Sequence, residues 1–206
     1  MIRFFSLLFS LLLSFSIFSQ NDKENKKLFF GFFNFSYDEG SDKIFLEVED
    51  LNKDFLYINS LATGLGSNDI GLDRGQLGEE RIVKFKKYGN KLLLIQPNQN
   101  FKAISNNEAE KNSVEQAFAF SVIFGFKIIE EKKNSYLIDF TPFLFQDTHG
   151  VIKRLKSLNQ GNYNLDLTKS ALELKRTKAF PNNVEFEALL TFVGNPQGKF
   201  VSSVVP

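Results

Sequence analysis

A chain of 206 residues with 25 Lys and Arg against 24 Asp and Glu is near-neutral and long enough for one domain with a sizeable core. That balance gives no overall attraction for nucleic acid or an anionic membrane surface, and zero Cys excludes disulfides, thiolate metal sites and cysteine nucleophiles. The aromatic content rests on 25 Phe with no Trp, so the core is expected to be Phe-rich.

In chain order, "MIRFFSLLFSLLLSFSIFSQ" reads as a secretory leader. Arg3 supplies the positive start, Phe4 to Phe18 is apolar apart from serines, and Ser19 is a small residue at the expected cut. The stretch is short for a bilayer span and no stop-transfer pattern follows, so residues 1–19 are expected to be removed. Without a Cys at the cut, lipid attachment is excluded. Arg3 is the only charge there, which leaves 24 residues of each sign in the remainder. The expected setting is secreted or periplasmic, with no stable membrane anchor.

A polar lead-in (20–27) precedes a single β-rich domain expected over 28–206. "KLFFGFFNFSY" reads as a continuously apolar strand with a bulge at Gly31, and "DEGSD" as a turn. "KIFLEVE" alternates, with Ile44, Leu46 and Val48 on one face and Glu47 and Glu49 on the other; "DFLYINS" continues the pattern. "RIVKFKKYGNKLLLIQ" predicts a hairpin turning at Gly89-Asn90. Residues 105–122 predict a helix: Ser105 and Glu108 have capping-box spacing, Val114, Ala117, Phe118 and Ser121 share a stripe, and Gly125 serves as the stop. "FKIIEE" is expected to pair with "NSYLIDF" across "KKN".

"GVIKRLKSL" predicts a second, shorter helix with Val151, Ile152, Leu155 and Leu158 on one face, ending near Gly161. "ALELKRTKAF" and "VEFEALLTFVG" flank "PNN" as a last hairpin. The fold class expected is α+β and β-dominated, mainly antiparallel sheet with hairpins and two packed helices. The apolar ending "GKFVSSVVP" favours a domain truncated at its C-terminus.

The densest cluster of unusual residues is "GLGSNDIGLDRGQLGEER", Gly64 to Arg81. Gly64 and Gly66 begin a G-x-G, but Asp69 occupies the third glycine position and no G-K-[ST] follows, so a phosphate cradle does not fit. Asn68, Asp69 and Asp73 lack the alternating oxygen rhythm of a calcium loop. Two readings remain open. In one, the loop is internal, its glycines taking left-handed turns while Asp69 or Asp73 pairs with Arg74 or Arg81. In the other it docks on another domain, with Gly64, Gly66, Gly71 and Gly75 shaping it and Asn68, Asp69, Asp73, Arg74 and Gln76 making contacts.

His149 is the only histidine, and one imidazole does not make a zinc site. No G-x-S-x-G elbow accompanies "DTHG", so Asp147 or Thr148 is expected to cap the second helix, with His149 in a capping or packing role. Glu47/Glu49 and Glu79/Glu80 are explained by solvated faces. No nucleophile, base and orienting group come together in the pattern, so no catalytic or metal residue is assigned.

"SLATGLGSNDIGLDRGQLGEERIVKF", "LLLIQPNQNFKA", "AFAFSVIFGF", "DFTPFLFQDTHGV" and "RTKAFPNNVEFEALLTF" together resemble the N-terminal part of large secreted bacterial zinc-dependent metalloproteases, over roughly Phe29 to Gly194. In that family the segment is a domain of unknown function ahead of a catalytic region with a metzincin-like HExxHxxGxxH signature. The resemblance implies a non-catalytic N-terminal domain that assists folding, substrate access or regulation. Its partner would be the catalytic domain of the same parent chain, through which peptide or protein substrates are met. Zinc would belong to that domain; no HExxH occurs here, so no ligand transfers to this chain. The alternative is a free-standing secreted module that binds a surface polymer or protein.

Overall fold

The computed structural model describes residues 26–204. The leader (1–19) and most of the lead-in lie outside the described residues, although the first strand already takes Lys26 and Lys27. Among the described residues, no helix is long and apolar enough to cross a membrane.

The fold is β-dominated. Its main element is an eight-stranded sheet in the order β1-β2-β3-β8-β7-β6-β5-β4, antiparallel at every pairing. Its strands are β1 (Lys26–Phe29), β2 (Asn34–Asp38), β3 (Lys43–Val48), β4 (Phe55–Tyr57), β5 (Arg81–Tyr88), β6 (Lys91–Gln96), β7 (Ser121–Glu131) and β8 (Tyr136–Asp139). Alternation works as the sequence requires. Ile44, Leu46 and Val48 of β3 are buried, as are Val83 and Phe85 of β5 and Leu92 and Leu94 of β6. Gly89 takes the first turn position of the β5–β6 hairpin at φ 58°, which a side chain would resist.

The sheet curls. Phe33, in the turn after edge strand β1, meets Phe55 of the opposite edge strand β4 at 5.2 Å between ring centroids, and both rings approach Phe85. Phe126, Phe140 and Phe143 continue this aromatic core, as the Phe-rich composition requires. Four shorter hairpin strands cover it: β10 (Ala171–Leu172) pairs with β13 (Ala188–Leu189), and β11 (Lys178–Phe180) with β12 (Asn183–Glu185). This ladder is the last expected hairpin, and Phe186 beyond it lies against Phe35 and Phe140. A further pair joins β9 (Tyr163–Leu165) to β14 (Phe192–Gly194).

Three local expectations change. Gly31 is not a bulge within one strand: residues 30–33 turn the chain, and β1 and β2 form a hairpin. The helix expected over 105–122 is α1 (Glu108–Ala117), capped by Asn107, whose Oδ1 accepts from Ala109 N; Ser105 caps Asn107 N instead. Ser121 and Gly125 belong to β7, because the aromatic and β-branched run after Phe118 pairs along β6. None of α1's residues is buried; Phe118, just beyond it, stacks on Phe101 at 4.0 Å. The short helix α2 (Thr141–Leu144) went unpredicted. The expected helix after "DTHG" is α3 (Val151–Ser157), and α4 (Lys199–Ser202) follows near the end.

Candidate functional site

The glycine-rich loop joins β4 to β5 and has a small core of its own. Ile70 and Leu72 are fully or nearly fully buried and form a second apolar cluster with Val151 and Leu155 of α3 and Val201 of α4. Leu61, Leu65, Phe192 and Phe200 close it from the sides. The face of α3 read from the sequence is therefore the loop's seat. Gln160 completes it by accepting from Phe200 N at 3.1 Å and Val201 N at 3.0 Å, which holds α4 in place.

Backbone hydrogen bonds fix the loop internally: Leu65 N to Leu72 O, Ile70 N to Ser67 O, Gly75 N to Leu61 O and Gln76 N to Asp73 O. Gly66, Gly71 and Gly75 have positive φ, as the left-handed turn reading expects. Of these three, Gly71 is the most constrained. At φ 64°, a Cβ there would lie 2.8 Å from the Arg154 guanidinium, whose Nε donates to Ile70 O at 2.6 Å.

The Asp–Arg pairs considered for an internal loop are not brought together. Arg81 pairs with Glu79 at 2.7 Å and donates to Gln96. Among the described residues, Asp69, Asp73 and Arg74 form no ion pair. Apolar burial and Arg154 do the holding instead. Asn68, Asp69, Asp73, Arg74, Gly75 and Gln76 are all exposed, so a fixed loop carries an outward polar rim. Gly64 and Gly66 are also exposed, while Gly71 is half-buried beneath α3.

His149 lies against this loop. Its Nδ1 is 3.0 Å from Asn59 Nδ2, and its Nε2 is 3.4 Å from Gln76 Oε1. With Asn59 donating, Nδ1 accepts and the proton rests on Nε2, facing Gln76. Both nitrogens meet carboxamides, so no carboxylate orients the ring as a general base. The capping function belongs to Asp147, whose carboxylate accepts from Val151 N at 2.8 Å and Ile152 N at 2.9 Å at the start of α3. Burial raises the pKa of the nearby Tyr57 phenol, opposed by the Thr148 hydroxyl and the Arg81 charge.

Among the described residues, no three His, Cys, Asp or Glu side chains converge on a point that would hold a metal. Away from the loop, a shallow cleft of about 260 Å³ opens at the sheet seam, lined by Phe32, Phe33, Phe55, Glu49, Asp50 and Lys53 among others. Glu47 at its side is committed to the fold: hydrogen bonds from Ser135 and then Lys132 lower its pKa.

Asn59 and Arg154 hold the loop, yet neither stood out in the sequence. The legible signal is the set of apolar residues Leu65, Ile70 and Leu72 inside a glycine-rich, polar stretch. A family described as "Domain of unknown function (DUF5117)" matches residues 75–205, which takes in the end of the loop and the helices α3 and α4 that seat it. No curated protein and no solved structure matches the chain.

Proposed function

The chain belongs to the DUF5117 family, and on the resemblance of its sequence we propose that it is a non-catalytic domain of a secreted zinc-dependent metalloprotease, docking through its glycine-rich loop on the catalytic domain. The observation that carries this reading is the fixed loop with an exposed rim. Ile70 and Leu72 are locked into α3 and α4, while Asp69, Asp73, Arg74 and Gln76 face outward without ion partners among the described residues. A loop held in one shape loses little entropy on binding, which favours it as a contact surface. By the resemblance, zinc chemistry would belong to the catalytic region; in this chain the single histidine is engaged by Asn59 and Gln76, and one imidazole does not make a zinc site. The domain's role would be to hold or gate that region, and peptide substrates would reach it only through its partner.

The test is binding of this domain to the separately produced catalytic region of the parent enzyme, followed by light scattering and calorimetry. A one-to-one complex is expected. The double variant D73A/R74A is expected to bind at least about tenfold more weakly, equivalent to about 1.4 kcal/mol, with an unchanged melting temperature. Absence of a complex, or one indifferent to both substitutions, would overturn the docking reading.

A further inference from the structure

The outward face of β5, β6 and β7 concentrates positive charge that the whole-chain balance conceals. Register fixes which side chains share it. Val83, Phe85, Leu92, Leu94 and Phe126 point into the core, so the alternate residues point outward. Tyr88, Lys91 and Lys127 lie side by side across the three strands; Lys86 and Leu93 form the next row, and beyond it Lys84 and Val122 flank Ile95, which is covered and buried. Lys127, Lys91, Lys86 and Lys84 thus form a bent track, with a step of about 5 Å from Lys127 to Lys91, a diagonal of about 7–8 Å to Lys86 and about 7 Å along β5 to Lys84.

Two features set this face apart from an ordinary solvated surface. Lys91 and Lys127 are direct cross-strand partners and both are exposed, an arrangement that destabilises a sheet when nothing neutralises it. The outward positions of these three strands carry one carboxylate, Glu130, which lies past the β7 bulge and beyond the end of the lysine track. Beside the track, Asp54 lies 4.0 Å from Lys84, and Asp139 on β8 is bound to Lys43 at 2.8 Å and accepts from Thr141 N. Lys87, on the opposite face, is satisfied by Glu131.

We propose that this face binds a linear acidic polysaccharide through the Lys127–Lys91–Lys86–Lys84 track, independently of the loop. Charge complementarity selects a polyanion, and shape selects among polyanions. The curled sheet makes the outward face convex, so a planar bilayer touches it only tangentially while a flexible chain follows the track. The exposed rings do not offer open stacking platforms for bases: Lys86 Nζ lies over both Tyr88, at 5.7 Å, and Phe120, at 6.0 Å. What remains is recognition by spaced ammonium groups, which suits carboxylates or sulfates repeated along a sugar chain.

The probe is sodium alginate, a polyuronate, immobilised on a sensor surface and titrated with the full chain at two salt concentrations. Wild type is expected to bind at 50 mM salt and about tenfold more weakly at 200 mM. K91Q/K127Q is expected to lose at least about tenfold in affinity, and K84Q/K86Q to lose comparably. K153Q/K156Q on exposed positions of α3 changes net charge equally and is expected to leave binding unchanged. Folding of each variant is checked by its melting curve. No wild-type binding at 50 mM salt, equal losses in all three doubles, or tighter binding to phosphatidylglycerol vesicles or single-stranded DNA than to alginate would each overturn the proposal.

Discussion

Replacing Ile70 by Ala probes the claim that the glycine-rich loop is fixed by burial. Ile70 is fully buried in a cluster whose other buried members are Leu72, Val151, Leu155 and Val201. Truncating a buried Ile to Ala costs about 2–5 kcal/mol, and the lower half applies because this small cluster has half-buried sides that relax into the void. A loss of about 2–3 kcal/mol lowers Tm by roughly 5–10 °C in a chain of this size. Urea denaturation gives the energy, and hydrogen exchange locates it. Protection of the Leu65, Ile70 and Gly75 amides, which bond to Leu72, Ser67 and Leu61 carbonyls, is expected to collapse. The β5–β6 hairpin amides should keep theirs. A loss below about 0.5 kcal/mol with loop protection intact would refute the reasoning.

Gly71→Ala forces a side chain to φ 64° and into Arg154, so a loss of about 1–2 kcal/mol is expected, with faster exchange at the loop. Tyr37 carries a pH dependence at the alkaline end. Its hydroxyl donates to Asp42 at 2.8 Å, and that bond, with burial second, pushes its pKa up to about 12. Stability from this group is complete below the unfolded value of about 10 and is lost as pH rises through 12; Tyr37→Phe should flatten that slope and cost about 1 kcal/mol at neutral pH. Glu47 acts at the acid end. Its pKa is lowered by Ser135 and then Lys132, so its contribution is present above about 4.3 and is lost as pH falls through the folded value. Glu47→Gln should reduce neutral-pH stability by about 0.5–1 kcal/mol and remove that part of the acid sensitivity, read from urea midpoints at pH 7 and pH 3.

The strands that alternate cleanly were legible because burial on one face leaves a period-two record: β3, β5 and β6 lie where "KIFLEVE" and "RIVKFKKYGNKLLLIQ" place them. Helix α3 was legible from its apolar stripe, and Asp147 from its place before it. The segment after Ala117 was misassigned because "AFAFSV" satisfies a helical stripe and a strand equally; pairing with β6 decides between them, and no local pattern records a partner strand. The first apolar run was read as one strand because Phe30 and Phe32, exposed in the turn, look like core residues in sequence. Of the candidate site, the glycines and polar rim were visible, but what secures them was not. Asn59, Arg154 and Gln160 reach the loop or its seat from elsewhere in the chain, and the expected Asp–Arg pairing gave way to apolar burial.

The most direct measurement is backbone amide NMR of the isotopically labelled domain, titrated with the catalytic region of the proposed metalloprotease parent. Saturating shift changes centred on Asn68, Asp69, Asp73, Arg74 and Gln76, with the main-core amides unmoved, are the predicted result. Shifts centred on another surface, or none at concentrations where the two regions are expected to associate, would contradict it.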